Sequence, residues 1–107
     1  MAANEALFRE VNEGIARGLW PGEGAKRIRF HCECARPECN TPVLATREQY
    51  EEVRAHSRRF LIVDGHELPP AESVVRRTSD YAVVQKREAA GAVAEATDPR
   101  RQRAGRG

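Results

Sequence analysis

Apolar residues recur along this chain with two spacings, and the switches between them mark out its elements. Leu7, Val11 and Ile15 fall at i, i+4 and i+8, with Phe8 widening the stripe, which is the spacing of one helix face. A helix is therefore expected over residues 4–17, with Asn4 as N-cap, Glu5 at the positive end of the dipole and Gly18 as C-cap. Arg9, Glu10, Asn12, Glu13 and Arg17 fall mostly on the other face. The expectation is that Leu7, Val11 and Ile15 turn toward the core and the charged face turns to water.

Three glycines and a proline within residues 18–25 break the pattern and read as a loop. Trp20 within it either anchors the loop or serves as a contact residue. The spacing then changes to two: Ile28, Phe30 and Cys32 alternate with Arg29, His31 and Glu33. This reads as a strand over 26–34 that puts Cys32 and Cys34 on one face. Residues 35–40 turn, helped by Pro37, and Val43-Leu44 supplies a short return strand. Thr46 and Gln49 have capping-box spacing, so a second helix is expected to about His56 with Tyr50 and Val53 inward. Residues 59–63, carrying Phe60-Leu61-Ile62-Val63, read as a strand buried on both faces or nearly so and central to its sheet. Asp64-Gly65 turns the chain and His66 follows. Residues 73–77 and 81–86 read as a hairpin around 78–80. From Glu88 onward Ala, Gly, Arg and Glu dominate and Val93 is the only large aliphatic residue, too little to offset the entropy of ordering. The expected architecture is a small α+β domain over residues 1–87 and a flexible tail over 88–107, within which residues 89–96 are expected to be helical only transiently.

Composition narrows the picture. The chain has 107 residues, enough for one domain, with 32% charged and 6% aromatic residues. Its core is expected to be small and aliphatic, where a metal staple helps most. A net charge of +2 is too near neutral to argue for nucleic acid or membrane. No apolar run approaches the ~20 residues that cross a bilayer, and the first residues have neither the basic nor the apolar region of a secretory signal. Three cysteines would strand one thiol in any disulfide scheme. A reducing cytoplasm is the expected location.

All three cysteines, Cys32, Cys34 and Cys39, lie within eight residues. Zinc takes four thiolate or imidazole ligands in a tetrahedron. Cys32 and Cys34 share a strand face, and the turn returns Cys39 to them. Of the three histidines, His31 points away from Cys32 on a regular strand and His56 ends a helix. His66, after the Asp64-Gly65 turn, is the first choice for the fourth ligand and His56 the second. Four protein ligands make a closed structural site, with Arg29 or Arg36 near enough to offset its net charge of about −1. The rival readings are three unligated buried cysteines, a reactive Cys34 or Cys39 beside Arg36 with His66 as base, and an open zinc site with Glu67 as base. Neither catalytic version has a recognisable motif: His66-Glu67 is followed by Pro70 where a His-Glu-x-x-His helix needs its second histidine. No catalytic residue is assigned. The basic pairs Lys26-Arg27, Arg58-Arg59 and Arg76-Arg77 are interleaved with Glu48, Glu51, Glu52, Glu67 and Glu72, a pattern closer to a solvated surface than to a nucleic-acid stripe.

The order of these signals resembles a group of short bacterial proteins of the actinobacterial type. The matching runs are Asn-Glu-Ala-Leu-Phe-Arg-Glu-Val-Asn-Glu, Phe-His-Cys-Glu-Cys with a third cysteine, Tyr-Glu-Glu-Val-Arg, Arg-Phe-Leu-Ile-Val-Asp-Gly-His-Glu and Tyr-Ala-Val-Val-Gln-Lys. They cover roughly residues 4–86. The resemblance implies that the three cysteines and His66 form one constellation, and implies nothing about substrate or partner. The expectation is a cytoplasmic zinc-binding module that acts on a protein partner, in a regulatory role. A thiol-based redox or zinc-release switch and a nucleic-acid-binding zinc protein are the alternatives.

Overall fold

Thr46 closes strand β2 (Pro42–Thr46) and opens helix α2 (Arg47–Arg54). Gln49 N donates to Thr46 Oγ1 at 3.0 Å, and Thr46 N donates to Gln49 Oε1 at 2.8 Å. The expected capping box thus forms, and Tyr50 and Val53 turn inward from it; the helix ends at Arg54 rather than near His56. The computed structural model describes residues 2–18, 26–34, 36, 38–68 and 71–100. Beyond Gly18, the loop expected at 18–25 with its Trp20 lies outside them, as do Pro37, the Pro69-Pro70 pair and residues 101–107.

The fold is α+β, with three helices and two antiparallel sheets among the described residues. Strand β1 (Arg27–His31) pairs with β2, setting Ile28 opposite Ala45 and Phe30 opposite Val43. Phe30 stacks on Tyr50 of α2 with ring centroids 4.6 Å apart. The second sheet has the order β3 (Arg59–Ile62), β5 (Ala82–Lys86), β4 (Glu72–Arg77). The C-terminal hairpin forms as expected, closed by Thr78 N donating to Tyr81 O at 2.8 Å. The position of β3 differs from expectation: β5 is central and β3 is an edge strand. Phe60, Leu61 and Ile62 are nonetheless fully buried, because residues 32–33 cover the open edge. Glu33 N donates to Leu61 O at 2.7 Å, Leu61 N to Glu33 Oε1 at 2.9 Å, and Val63 N to Cys32 Sγ at 3.2 Å.

Helix α1 (Ala2–Arg17) starts before Asn4, so Asn4 is inside it and does not cap it. Its orientation departs from the hydropathy reading, although Ile15 packs against the core as expected and Glu10 and Arg17 are exposed. Leu7 and Val11 are 55% and 45% exposed, while Arg9, Asn12 and Glu13 are buried. Hydrogen-bond partners explain the choice. The Asn12 amide acts as a strand partner for β1: His31 N donates to Asn12 Oδ1, and Asn12 Nδ2 donates to His31 O, both at 2.7 Å. Arg9 donates to Ser57 O at 2.8 Å and Ala94 O at 2.7 Å. Its guanidinium lies 4.5 Å from the Phe60 ring centroid. Most of the polar atoms on this helix face find partners, which lowers the cost of burying it; Arg9 Nε is the exception.

Residues 88–100, assigned above to a flexible tail, are helix α3 (Glu88–Ala96) and a short continuation. Helix α3 lies against α1 and β5; its Gly91 and Ala94 are buried, Gly91 under the Arg58 side chain, which leaves no room for a Cβ. The anchors are polar. Arg54 bonds Glu13 at 3.0 Å and also Asp98, and Arg100 bonds Glu13 at 2.8 Å and Glu51 at 2.7 Å. Aliphatic content undercounts a segment fixed mainly by buried charge.

Candidate metal centre

Three short stretches build the site. Strand β1 ends at His31, so Cys32 and Cys34 leave the regular pleat and both become fully buried. Cys32 N donates to Thr41 O at 3.1 Å, holding the start of the loop against its return. A tight turn, Cys39 N to Arg36 O at 3.2 Å, brings the third sulfur back. The remaining ligand comes from beyond β3, where His66 N bonds Val63 O at 3.0 Å. Gly65 makes that turn with φ at 95°, a backbone region that glycine enters without steric cost.

The four expected ligands converge. The Sγ atoms of Cys32, Cys34 and Cys39 and a ring nitrogen of His66 all lie within 4.8 Å of one another. Cys32 Sγ and Cys39 Sγ are 3.6 and 3.7 Å from His66 Nδ1. Arms of ~2.3 Å to sulfur and ~2.0 Å to nitrogen put the S···N edge of a metal tetrahedron at about 3.5 Å, so this spacing fits a metal ion. The three cysteines form no disulfide. The other histidines are elsewhere. His31 stacks on Phe8, centroids 4.0 Å apart, and its Nδ1 lies 2.7 Å from Cys32 O. His56 is exposed beyond the end of α2.

Electrostatics suit a cation. Burial, above all, pushes the Cys32 and Cys34 thiols up from their usual pKa, and the neighbouring sulfurs add to this at Cys32. Burial also pushes Cys39 up, but hydrogen bonds from Thr41 and the neighbouring thiols more than reverse this and leave it lowered. Burial and then the charge of Arg36 hold His66 below its usual range, which favours the neutral imidazole that ligates metals.

Glu33, between two of the cysteines, is the residue that sequence reasoning missed. Its carboxylate is fully buried and accepts from Asn12 Nδ2 at 2.8 Å, Tyr50 OH at 2.8 Å and Leu61 N at 2.9 Å. Burial raises its pKa while these donors oppose the rise. It joins the cysteine segment to α1, α2 and β3 at once. Strict alternation places Glu33 on the solvent side, and nothing in the spacing marks the pleat as ending at His31. A second support is Arg77, whose Nε and Nη2 bond Asp64 at 3.0 Å and Glu67 at 3.1 Å, the acids on either side of Gly65-His66. Glu67, the base in the open-zinc alternative, is thus held by Arg77. No described helix is long and apolar enough to cross a membrane. No family model, curated protein or solved structure matches the chain.

Proposed function

We propose that Cys32, Cys34, Cys39 and His66 hold one Zn²⁺ in a closed structural site, and that the chain is a cytoplasmic module that acts by binding a protein partner in a regulatory role. The observation that carries this is the convergence of four ligand atoms within 4.8 Å of one another, with His66, 27 or more residues along the chain from the cysteines, at tetrahedral-edge distance from Cys32 and Cys39. Three sulfurs and an imidazole favour zinc over the hard cations that seek oxygen. A bound Zn²⁺ supplies the charge that lets buried thiols ionise. Val63 N then donates to an ionised Cys32 sulfur, and Asp64, Glu67 and Arg77 keep the His66 loop in place. With all four positions filled by protein, the reading assigns no catalysis. Elemental analysis of gently purified wild type and His66→Ala tests it. One zinc per wild-type chain and weaker retention in the variant are expected. Metal-free wild type, or unchanged affinity in the variant, would overturn the site.

Cys39 carries the second reading, a thiol switch. It is the only one of the three cysteines that is partly exposed, and its pKa is lowered. Rapid alkylation of Cys39 at neutral pH in the metal-loaded chain would favour the switch over the staple.

A further inference from the structure

Strand alternation separates the members of the two basic pairs in the three-stranded sheet. Arg58 turns to Glu95 of α3, and Arg77 turns to Asp64 and Glu67. Arg59 and Arg76 turn the other way, into a cleft of about 420 Å³ between α2 and the sheet. Val53, Tyr81 and Val83 line its floor, and Val75 lies at its lip, 43% exposed. Val75 and Arg76 are consecutive, so on a regular strand they would point to opposite faces. The register shift between Val74 and Arg76 lets both line the cleft; bulges re-aim side chains in this way at functional edges.

Both guanidinium groups are held in place. Arg59 Nε donates to Gln85 Oε1 and Arg76 Nη1 to Glu52 Oε2, each at 3.0 Å. These bonds take one of the five N–H donors that each guanidinium carries. Arg59, bonded to a neutral amide, keeps its full charge there, while Arg76 shares its charge with the exposed carboxylate of Glu52, which an incoming acid can replace, and both stand beside an aliphatic lip.

We infer that this cleft takes an acidic peptide segment of the partner, with a carboxylate between Arg59 and Arg76 and a neighbouring aliphatic side chain against Val75. The inference rests on the protein-partner part of the proposed function and is independent of the metal. Charge complementarity selects the acid. The cleft is open to solvent, whereas small-molecule sites enclose most of their ligand. Tyr81, the aromatic residue of the lining, is 2% exposed and offers no stacking platform for the bases of a nucleic acid.

The test is NMR titration of the full chain, as purified, with a blocked hexapeptide alternating glutamate and leucine. Its glutamine counterpart and glutarate serve as controls, and metal content is measured on the same samples. Saturable shifts at Val75, Arg76 and Val83 amides are expected. Affinity should fall by about tenfold in Arg76→Gln and in Arg59→Gln, the loss expected for one charge-assisted hydrogen bond. Val75→Ser should weaken the peptide and leave glutarate unchanged. Absence of saturable shifts, equal binding of the glutamine peptide, or glutarate binding as tightly as the peptide would overturn the inference. A metal-free chain that binds the peptide leaves this inference standing and removes the zinc site. A zinc-loaded chain that ignores the peptide does the reverse.

Discussion

Two corners of the molecule tie distant segments together with opposite chemistry. At the sulfur corner, Cys32 and Cys39 meet His66 across 34 and 27 residues of chain. At the charged corner, Arg54 meets Glu13 and Asp98 across 41 and 44 residues, and Arg100 meets Glu13 across 87. The charged corner holds both signs and is complete in itself. The sulfur corner holds three acids and a neutral base, so its ionised form needs a cation from outside. On the proposed reading the first corner is conditional on metal, and the second on each member staying in place.

Removing metal separates the corners most sharply. A chelator at neutral pH is expected to lower stability by about 4 kcal/mol or more, the linkage for a ligand present far above its Kd. Hydrogen exchange should rise first in residues 32–41 and 63–68, while α1 and α2 stay protected. Equal loss of protection at both corners would show that they are one cooperative unit. The next effect belongs to the charged corner. Arg54→Ala leaves Glu13 and Asp98 buried without their shared cation, a loss of roughly 3 kcal/mol in denaturant unfolding. Zinc affinity should not change. A drop in zinc affinity alongside the stability loss would mean that the corners are coupled, with the Glu33–Asn12–Tyr50 hydrogen bonds as the obvious link.

Protons give the third and smaller effect. Cys32 and Cys34 have raised pKa values, so without metal both thiols are protonated at neutral pH. Binding must expel those protons, so affinity rises with pH and falls as pH drops. His66 is shifted down, stays neutral at pH 7, and adds a proton to the balance only below its usual pKa of about 6.5. Between about two and three protons released per zinc near pH 7, two from Cys32 and Cys34 and the remainder from whatever fraction of Cys39 is still protonated, is the expected result, at least a hundredfold change in affinity per pH unit. Calorimetry in buffers of different ionisation enthalpy measures it. Release of less than one proton would mean that the sulfurs are not the ligands.

The same contrast decides what could be read from the residues in order. Cys32, Cys34, Cys39 and His66 were legible because few residue types bind soft metals and because the Asp64-Gly65 turn aims the chain back. The caps and inward residues of α2 were legible because they are local. Arg9, Asn12 and Glu13 were not, since a buried charge looks like a solvated one until its partner is known, and Arg54, Ala94 and Asp98 lie far along the chain. The periodicity of Leu7 and Val11 then assigned α1 the wrong inner face. The helical tendency of residues 89–96 was legible, but the docking of α3 was hidden for the same reason, with few aliphatic residues and its anchors at Arg54 and Glu13. The edge position of β3 was hidden too, because its cover is Glu33, whose place depends on where β1 stops.

The smallest expected effect lies where charge and sulfur meet. Arg77 is largely exposed and so is Asp64, where such a pair is weak, while Glu67 is only partly exposed. Its leverage comes from position, because Asp64 and Glu67 bracket His66 and one guanidinium holds both. Releasing it should let the His66 loop sample more conformations without touching any cysteine. Arg77→Ala is therefore expected to weaken zinc by no more than about fivefold, the ceiling for an exposed pair. With cobalt as the probe, the visible bands should shift from a three-sulfur, one-nitrogen pattern toward one in which water replaces nitrogen. The dependence should vanish in a His66→Ala background. If Arg77→Ala changes affinity equally with and without His66, the clamp acts on the fold at large and not on the fourth ligand.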